Sequence, residues 1–334
     1  MLYYVKINLG DDMKQILILF TGGTISMGSS GDSKKTIIKD NHLELLNLIE
    51  SRLTNVRLTH HIYSMVPSPS LTPDDMLSIG VLINKYLNEE NYDGIVVTHG
   101  TDTLEETAFF LDSYLNTNKP VVLTGSMRNY DEIGYDGFSN LYSSILVALA
   151  NESYNRGVLV CLNDEINNAF EVTKTHTLAL DTFKSLEFGP LGLVDENNVL
   201  YFRQAEYSKH NITPSKLTKR VEVIKITSGM TDDLLKYYVN QKVDGLIIEG
   251  FGRGNIPGNL VMAIKEAIDK QIVVVMTSRC PVGRVRDTYA YAGGGYQLKS
   301  IGVLSGNSLP SYKARLLLML VLSANLDAKD YFKY

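Results

Sequence analysis

Two segments of this chain set a hydroxyl beside a glycine turn, and one of them adds a carboxylate. In Ile16-Leu17-Ile18-Leu19-Phe20-Thr21-Gly22-Gly23-Thr24-Ile25, a run of large apolar residues stops at two glycines flanked by threonines. Such a run reads as a buried parallel strand. The glycines allow a tight turn and a close backbone approach to a ligand. In Ile95-Val96-Val97-Thr98-His99-Gly100-Thr101-Asp102-Thr103 a second apolar strand ends in Gly, Thr and Asp. Hydroxyls at the C-terminal ends of strands stand where open α/β sheets bind ligands. The chemistry this suggests is nucleophilic, with a threonine that needs an activating base. On its local context alone, Thr24 fits a nucleophile and a turn-capping threonine equally well. Lys174, in Val172-Thr173-Lys174-Thr175, supplies a base only where burial or a nearby charge favours its neutral form. That segment by itself fits a solvated surface lysine too.

These residues need a scaffold, and strand-like and helix-like segments alternate along most of the chain. That order argues for an α/β fold with a parallel sheet. Strands are expected over Gln15–Phe20, Gly94–Thr98, Pro120–Thr124 and Gly157–Leu162, with helices His42–Arg52, Thr72–Leu87, Leu104–Leu115 and Asn140–Ala150 between them. Thr72-Pro73-Asp74-Asp75 gives the second helix an N-cap, a proline at its first position and acids in its first turn. A second set follows: strands Val221–Ile226, Gly245–Glu249 and Ile272–Met276, with helices Asp232–Asn240, Asn259–Lys270 and Ser311–Ser323. The polar stretch between the sets, around Pro214, reads as a linker. The expected organisation is a larger N-terminal parallel-sheet domain over 13–204, a linker over 205–220 and a smaller C-terminal α/β domain over 221–334. Met1 to Asp12 precedes the first strand and is expected to be an extension.

Composition narrows the function. The chain has 334 residues, 44% apolar and 21% charged, and a net charge of −5. That is a globular composition with no dominant basic patch, so nucleic acid is not an expected partner. No apolar run approaches the ~20 residues of a membrane span, and no secretory leader is evident before Met13. A cytoplasmic location is expected. Cys161 and Cys280 have no Cys-x-x-Cys spacing, and His60-His61 lack carboxylates at ligand spacing. Neither a metal nor an organic cofactor is expected. The three spaced glycines of a dinucleotide site and the lysine of a phosphate loop are both missing, at Gly22-Gly23 and at Gly293-Gly294-Gly295 alike.

Taken together, the motifs resemble the bacterial-type L-asparaginases, amidohydrolases with a threonine nucleophile. Thr21-Gly22-Gly23-Thr24-Ile25 is similar to the family's first signature and His99-Gly100-Thr101-Asp102-Thr103 to its second. Thr124-Gly125-Ser126-Met127-Arg128, Asp136-Gly137 with Asn140-Leu141, Val172-Thr173-Lys174-Thr175 and Gly252-Arg253-Gly254-Asn255 follow in the family's order. The resemblance implies hydrolysis of L-asparagine to L-aspartate and ammonia through an acyl-enzyme on Thr24. It implies a Thr101–Lys174–Asp102 triad, with Asp102 also receiving the substrate ammonium. Ser68 matches the serine that holds the substrate carboxylate. Gly100 and Ser126 match backbone positions around the scissile amide, and Gly23 or Thr101 offers an N–H to the oxyanion. The resemblance also implies a homodimer or homotetramer in which Asn255 completes a neighbour's site.

Three positions depart from the family. Pro69 stands where a glutamine is usual, and Ala290 where a glutamate crosses the subunit interface. No tyrosine occurs between Thr24 and Tyr63, although relatives carry one on a lid loop after the nucleophile. Tyr289, or else Tyr291, is expected to supply that phenol; ordinary packing tyrosines, with Thr36 or Lys34 serving the lid, are the alternative. Other amide preferences, glutamine included, and a non-catalytic amino-acid binder remain alternative readings of function.

Overall fold

The computed structural model describes residues 7–8, 13–23, 25, 27–30, 33–38, 42–205 and 210–334. They form two compact units, Met1–Asn211 and Ile212–Tyr334.

The first unit is built on an eight-stranded sheet. Across it run Val56–Val66, Lys14–Gly22, Gly94–Thr98, Val121–Thr124 and Val158–Leu162, all parallel. Glu165–Asn168, Gly192–Asp195 and Asn198–Tyr201 extend it antiparallel, so the sheet is mixed. The central strands are buried from end to end. Their unbroken Val, Ile and Leu runs follow from burial on both faces. One face packs Leu141, Ile145 and Leu149 of helix Gly137–Leu149 against Ile16, Ile18 and Val96. Helix Pro73–Asn88 begins as its sequence requires. Thr72 and Asp75 cap each other, and Pro73 occupies the first turn.

Four strands of this sheet carry no apolar run and were not expected. Val56–Val66 contains Arg57, His60 and His61 because it is the outermost strand and half of it faces solvent. The antiparallel strands are only four residues each; Gly192–Asp195 and Asn198–Tyr201 alternate in burial, whereas Glu165–Asn168 buries the polar Asn167 and Asn168 beside Ile166. The glycine- and serine-rich stretch after the first strand includes a hairpin, with Met27–Ser30 paired to Ser33–Ile38. Ile7–Asn8, in the stretch expected to be an extension, pairs with Leu53–Thr54.

The second unit has a four-stranded parallel sheet in the order Val221–Lys225, Gly245–Gly250, Val273–Ser278, Leu304–Ser305. Helices Asp233–Asn240 and Val261–Asp269 enclose a core with Ile224, Leu246, Ile248 and Val274. Helix Ser311–Ser323 packs on Val221–Lys225 and Gly245–Gly250.

Candidate active site

The order of the parallel strands creates the site. Lys14–Gly22 lies between Val56–Val66, which follows it in sequence, and Gly94–Thr98, which comes next. The direction of winding therefore reverses between Lys14–Gly22 and Gly94–Thr98. Beyond the carboxyl ends at such a switch point, open sheets leave a crevice. Phe20 pairs with Thr98, and Thr21 Oγ1 donates to the Thr98 carbonyl at 2.9 Å. The two glycine turns then leave their strands side by side. Gly22 and Gly23 have φ of 106° and 85°, values that favour glycine. A Cβ on Gly23 would also strike the Gly100 backbone. The amides of Gly23, Gly100 and Thr101 have no backbone acceptor among the described residues. Backbone N–H groups without such an acceptor are the kind of donor that suits an anionic oxygen.

Lys174 reaches this place from a two-residue strand, Thr173–Lys174, paired with Phe183–Lys184. Its backbone N–H donates to Glu105 Oε2 at 3.1 Å, which ties the strand to the start of helix Leu104–Tyr114. Its Nζ donates to Thr101 Oγ1 at 2.9 Å and to Asp102 Oδ1 at 2.8 Å. The lysine side chain is 14% exposed and that of Asp102 is 65% exposed. Because Thr101 Oγ1 accepts from the lysine, its own hydrogen is free to point elsewhere. Asp102 engages one oxygen with Lys174, leaving the other for a cation. A cavity of about 240 Å³ opens beside them, lined by Asp102, Lys174, Thr175, His176 and Thr177.

Ser68 closes another side. It begins a short 3₁₀ turn just past the strand Val56–Val66 and is buried, with its hydroxyl packed on Gly100. Thr103 Oγ1 donates to its carbonyl at 2.9 Å and fixes the turn. His99 is wholly buried. Its Nδ1 donates to the Gly100 carbonyl at 2.8 Å, so Nε2 is the acceptor for Thr107 Oγ1 at 2.9 Å. Burial lowers its pKa from 6.5 to about 4, so the imidazole is neutral. Ser126 is buried, and its hydroxyl turns away to the Arg128 carbonyl and Asp136. The Ser126 amide and carbonyl have no backbone partner among the described residues.

Thr101, Asp102, Lys174, Ser68, Gly23, Gly100 and Ser126 thus belong to one unit; all but Lys174, which lies on the short strand Thr173–Lys174, follow the carboxyl ends of the parallel strands. Thr24 lies outside the described residues. Asn255 is in the second unit, where its Oδ1 accepts from the Gly295 amide at 3.3 Å. Tyr289, also there, is 44% exposed, with its ring 5.6 Å from that of Tyr291. The Thr24 that Tyr289 is expected to serve is outside the described residues. Two contributors escaped the sequence reading. Glu105 shows only as an acid in a helix's first turn, and Asp136 only as part of a motif.

Residues 15–207 match the family model for "Asparaginase, N-terminal", and residues 220–334 that for "Glutaminase/Asparaginase C-terminal domain". An L-asparaginase of Bacillus licheniformis is 32% identical over 323 residues, which cover 96% of this chain and 99% of the relative. A probable periplasmic L-asparaginase of Haemophilus influenzae is 35% identical over 341 residues, covering 99% and 95%. The crystal structure of a probable cytoplasmic L-asparaginase from Campylobacter jejuni superposes with a TM-score of 0.84 at 32% identity. That match covers 95% of this chain and 97% of the other. With both models matched in order and the likeness running nearly end to end, the chain belongs to the asparaginase family.

Proposed function

We propose that the protein hydrolyses the side-chain amide of L-asparagine to L-aspartate and ammonia through an ester on Thr24. The observation that carries this is the Lys174–Thr101–Asp102 contact at the switch point of the sheet. The Thr24 oxygen attacks the amide carbon, and the amides of Gly23 and Thr101 stabilise the resulting oxyanion. The carbon–nitrogen bond breaks as Thr101 hands a proton to the leaving nitrogen, Lys174 replaces that proton, and the proton released from the Thr24 hydroxyl restores Lys174. Water then attacks the ester. Its proton passes to Thr101 as Thr101 passes one to Lys174 and Lys174 passes one to the Thr24 oxygen, so Thr24 is released as the free alcohol. Asp102 holds the substrate ammonium through its free oxygen, and the Ser68 hydroxyl holds the carboxylate. No step calls on a metal or organic cofactor.

The protein acts as a homo-oligomer in this reading, with Asn255 and Tyr289 reaching a neighbour's site. The exposed rings of Tyr289, Tyr291 and Tyr296 support a subunit contact. We assign it to the cytoplasm. The exposed free thiol of Cys280 suits a reducing compartment, and among the described residues no helix is long and apolar enough to cross a membrane. Ammonia release from L-asparagine, L-glutamine and D-asparagine tests the reaction. L-Asparagine is expected to give the highest kcat/KM, and release from none of the three would end this reading.

A further inference from the structure

The segment that leads into helix Gly137–Leu149 touches both loops of the site. Tyr135 donates its hydroxyl hydrogen to the carbonyl of Ile25 at 2.9 Å. Ile25 is buried, and it directly follows Thr24 in the chain. One residue further on, Asp136 Oδ1 accepts from the Ser126 hydroxyl at 2.8 Å and from the Arg128 amide at 3.0 Å. Its Oδ2 accepts from the Met127 amide at 3.0 Å and from Asn140 Nδ2 at 2.9 Å. That same Nδ2 donates to the Gly125 carbonyl at 3.0 Å. The carboxylate thus sets the shape of the whole turn Gly125–Arg128, and with it the direction of the Ser126 carbonyl.

Both arms have built seats. The phenol of Tyr135 lies across Gly137, where any Cβ would collide with it. Its ring meets Tyr130 edge-on at 5.3 Å. Burial raises the phenol's pKa strongly and the Asp136 charge adds to this. The hydroxyl therefore stays a donor and does not serve as a base.

We propose that Tyr135 and Asp136 are positioning residues for the reaction, a two-armed brace between the turn that carries Thr24 and the loop that faces the scissile amide. This rests on the reading of Thr24 as nucleophile. The two arms spring from adjacent residues, whose Cα atoms are ~3.8 Å apart. A shift of one loop is therefore passed to the other. Neither side chain belongs to the groups proposed to grip the amino-acid end of the substrate, Asp102 and Ser68. Loosening the brace misplaces the reacting atoms and leaves ground-state binding alone, and a misplacement of ~1 Å costs on the order of 10²-fold in rate.

The test uses the full chain and compares Tyr135→Phe, Asp136→Asn, the double variant and Thr24→Ala. It measures kcat and KM for L-asparagine, the ammonia burst that counts active sites, and the melting temperature. Tyr135→Phe is expected to lower kcat per active site by about 10-fold or more with KM held within about twofold. Asp136→Asn should act in the same direction. The double variant should lose less than the product of the two singles, because each break frees the same brace. Tyr135→Phe with wild-type kcat per active site, or singles whose losses multiply, would overturn the proposal. A purely structural role would lower the burst and the melting temperature and leave kcat per active site unchanged. Should Asp136→Asn fail to fold, Tyr135→Phe decides alone. Full turnover in Thr24→Ala overturns the brace together with the nucleophile; an inactive Thr24→Ala beside an unaffected Tyr135→Phe removes the brace only.

Discussion

Lys174 stands 2.9 Å from Thr101, although 73 residues separate them in the chain. Both ends of the lysine are held. Glu105 takes its backbone N–H, and Thr101 and Asp102 take its ammonium. Thr101, Asp102 and Glu105 lie within five positions of one another at the start of helix Leu104–Tyr114, so one short segment fixes the lysine at both levels.

Removing the lysine's charge and reach should therefore be felt in turnover. Lys174→Met is expected to lower kcat by on the order of 10²-fold or more, the scale of a lost proton-transfer group, with the melting temperature little changed. Lys174→Arg should not rescue it, because a planar, permanently charged guanidinium cannot return a proton. Steady-state kinetics on the two variants checks this; near-normal rates in Lys174→Met would remove the lysine from the mechanism.

Ser68 is argued to bind substrate, not to react. Ser68→Ala should cost roughly 1.5–3 kcal/mol in kcat/KM, the range for a hydrogen bond to a charged group. Most of that should appear as a higher KM. An unchanged KM for L-asparagine would place the carboxylate elsewhere.

His99 makes a prediction about pH. Its folded pKa, about 4, is below its ordinary 6.5. Between these values the unfolded chain takes up a proton that the folded chain refuses. Stability from this group is therefore intact above pH 6.5 and declines as the pH falls toward 4, by about 3 kcal/mol in all. His99→Gln lacks this slope. Urea unfolding from pH 7 to pH 4 should show the gap between wild type and variant closing in the acid direction. A gap that is constant with pH would mean that His99 does not resist protonation.

The capping box of helix Pro73–Asn88 offers a control away from the chemistry. Thr72→Ala removes the hydroxyl that accepts from the Asp75 amide and donates to its carboxylate, and keeps the backbone N–H bond to Asp75. It should destabilise the protein by about 1 kcal/mol and leave kcat alone. Denaturant unfolding and a rate measurement on one preparation test both parts.

Sequence reading succeeded where burial is two-sided and failed where structure depends on distant partners. Ile16–Phe20 and Ile95–Thr98 announce themselves because a parallel strand covered on both faces needs apolar residues at every position. Val56–Val66 did not, because an edge strand tolerates Arg57 and His61. The cap at Thr72 was legible because all its parts lie within four residues. The bond from Tyr135 to Ile25 spans 110 positions, and no local pattern marks it. Asp136 and Glu105 are similar. Each is an ordinary acid near a helix start until the fold brings a loop to it.

The central claim is a covalent ester on Thr24, and trapping it is the most direct test. Enzyme mixed with L-asparagine, quenched in acid during turnover and digested, should yield a peptide around Thr24 heavier by one aspartyl group. The adduct should vanish in Thr24→Ala, which should also lose on the order of 10³-fold or more in turnover. Rapid ammonia release with no adduct on Thr24, or full activity in Thr24→Ala, would contradict the account.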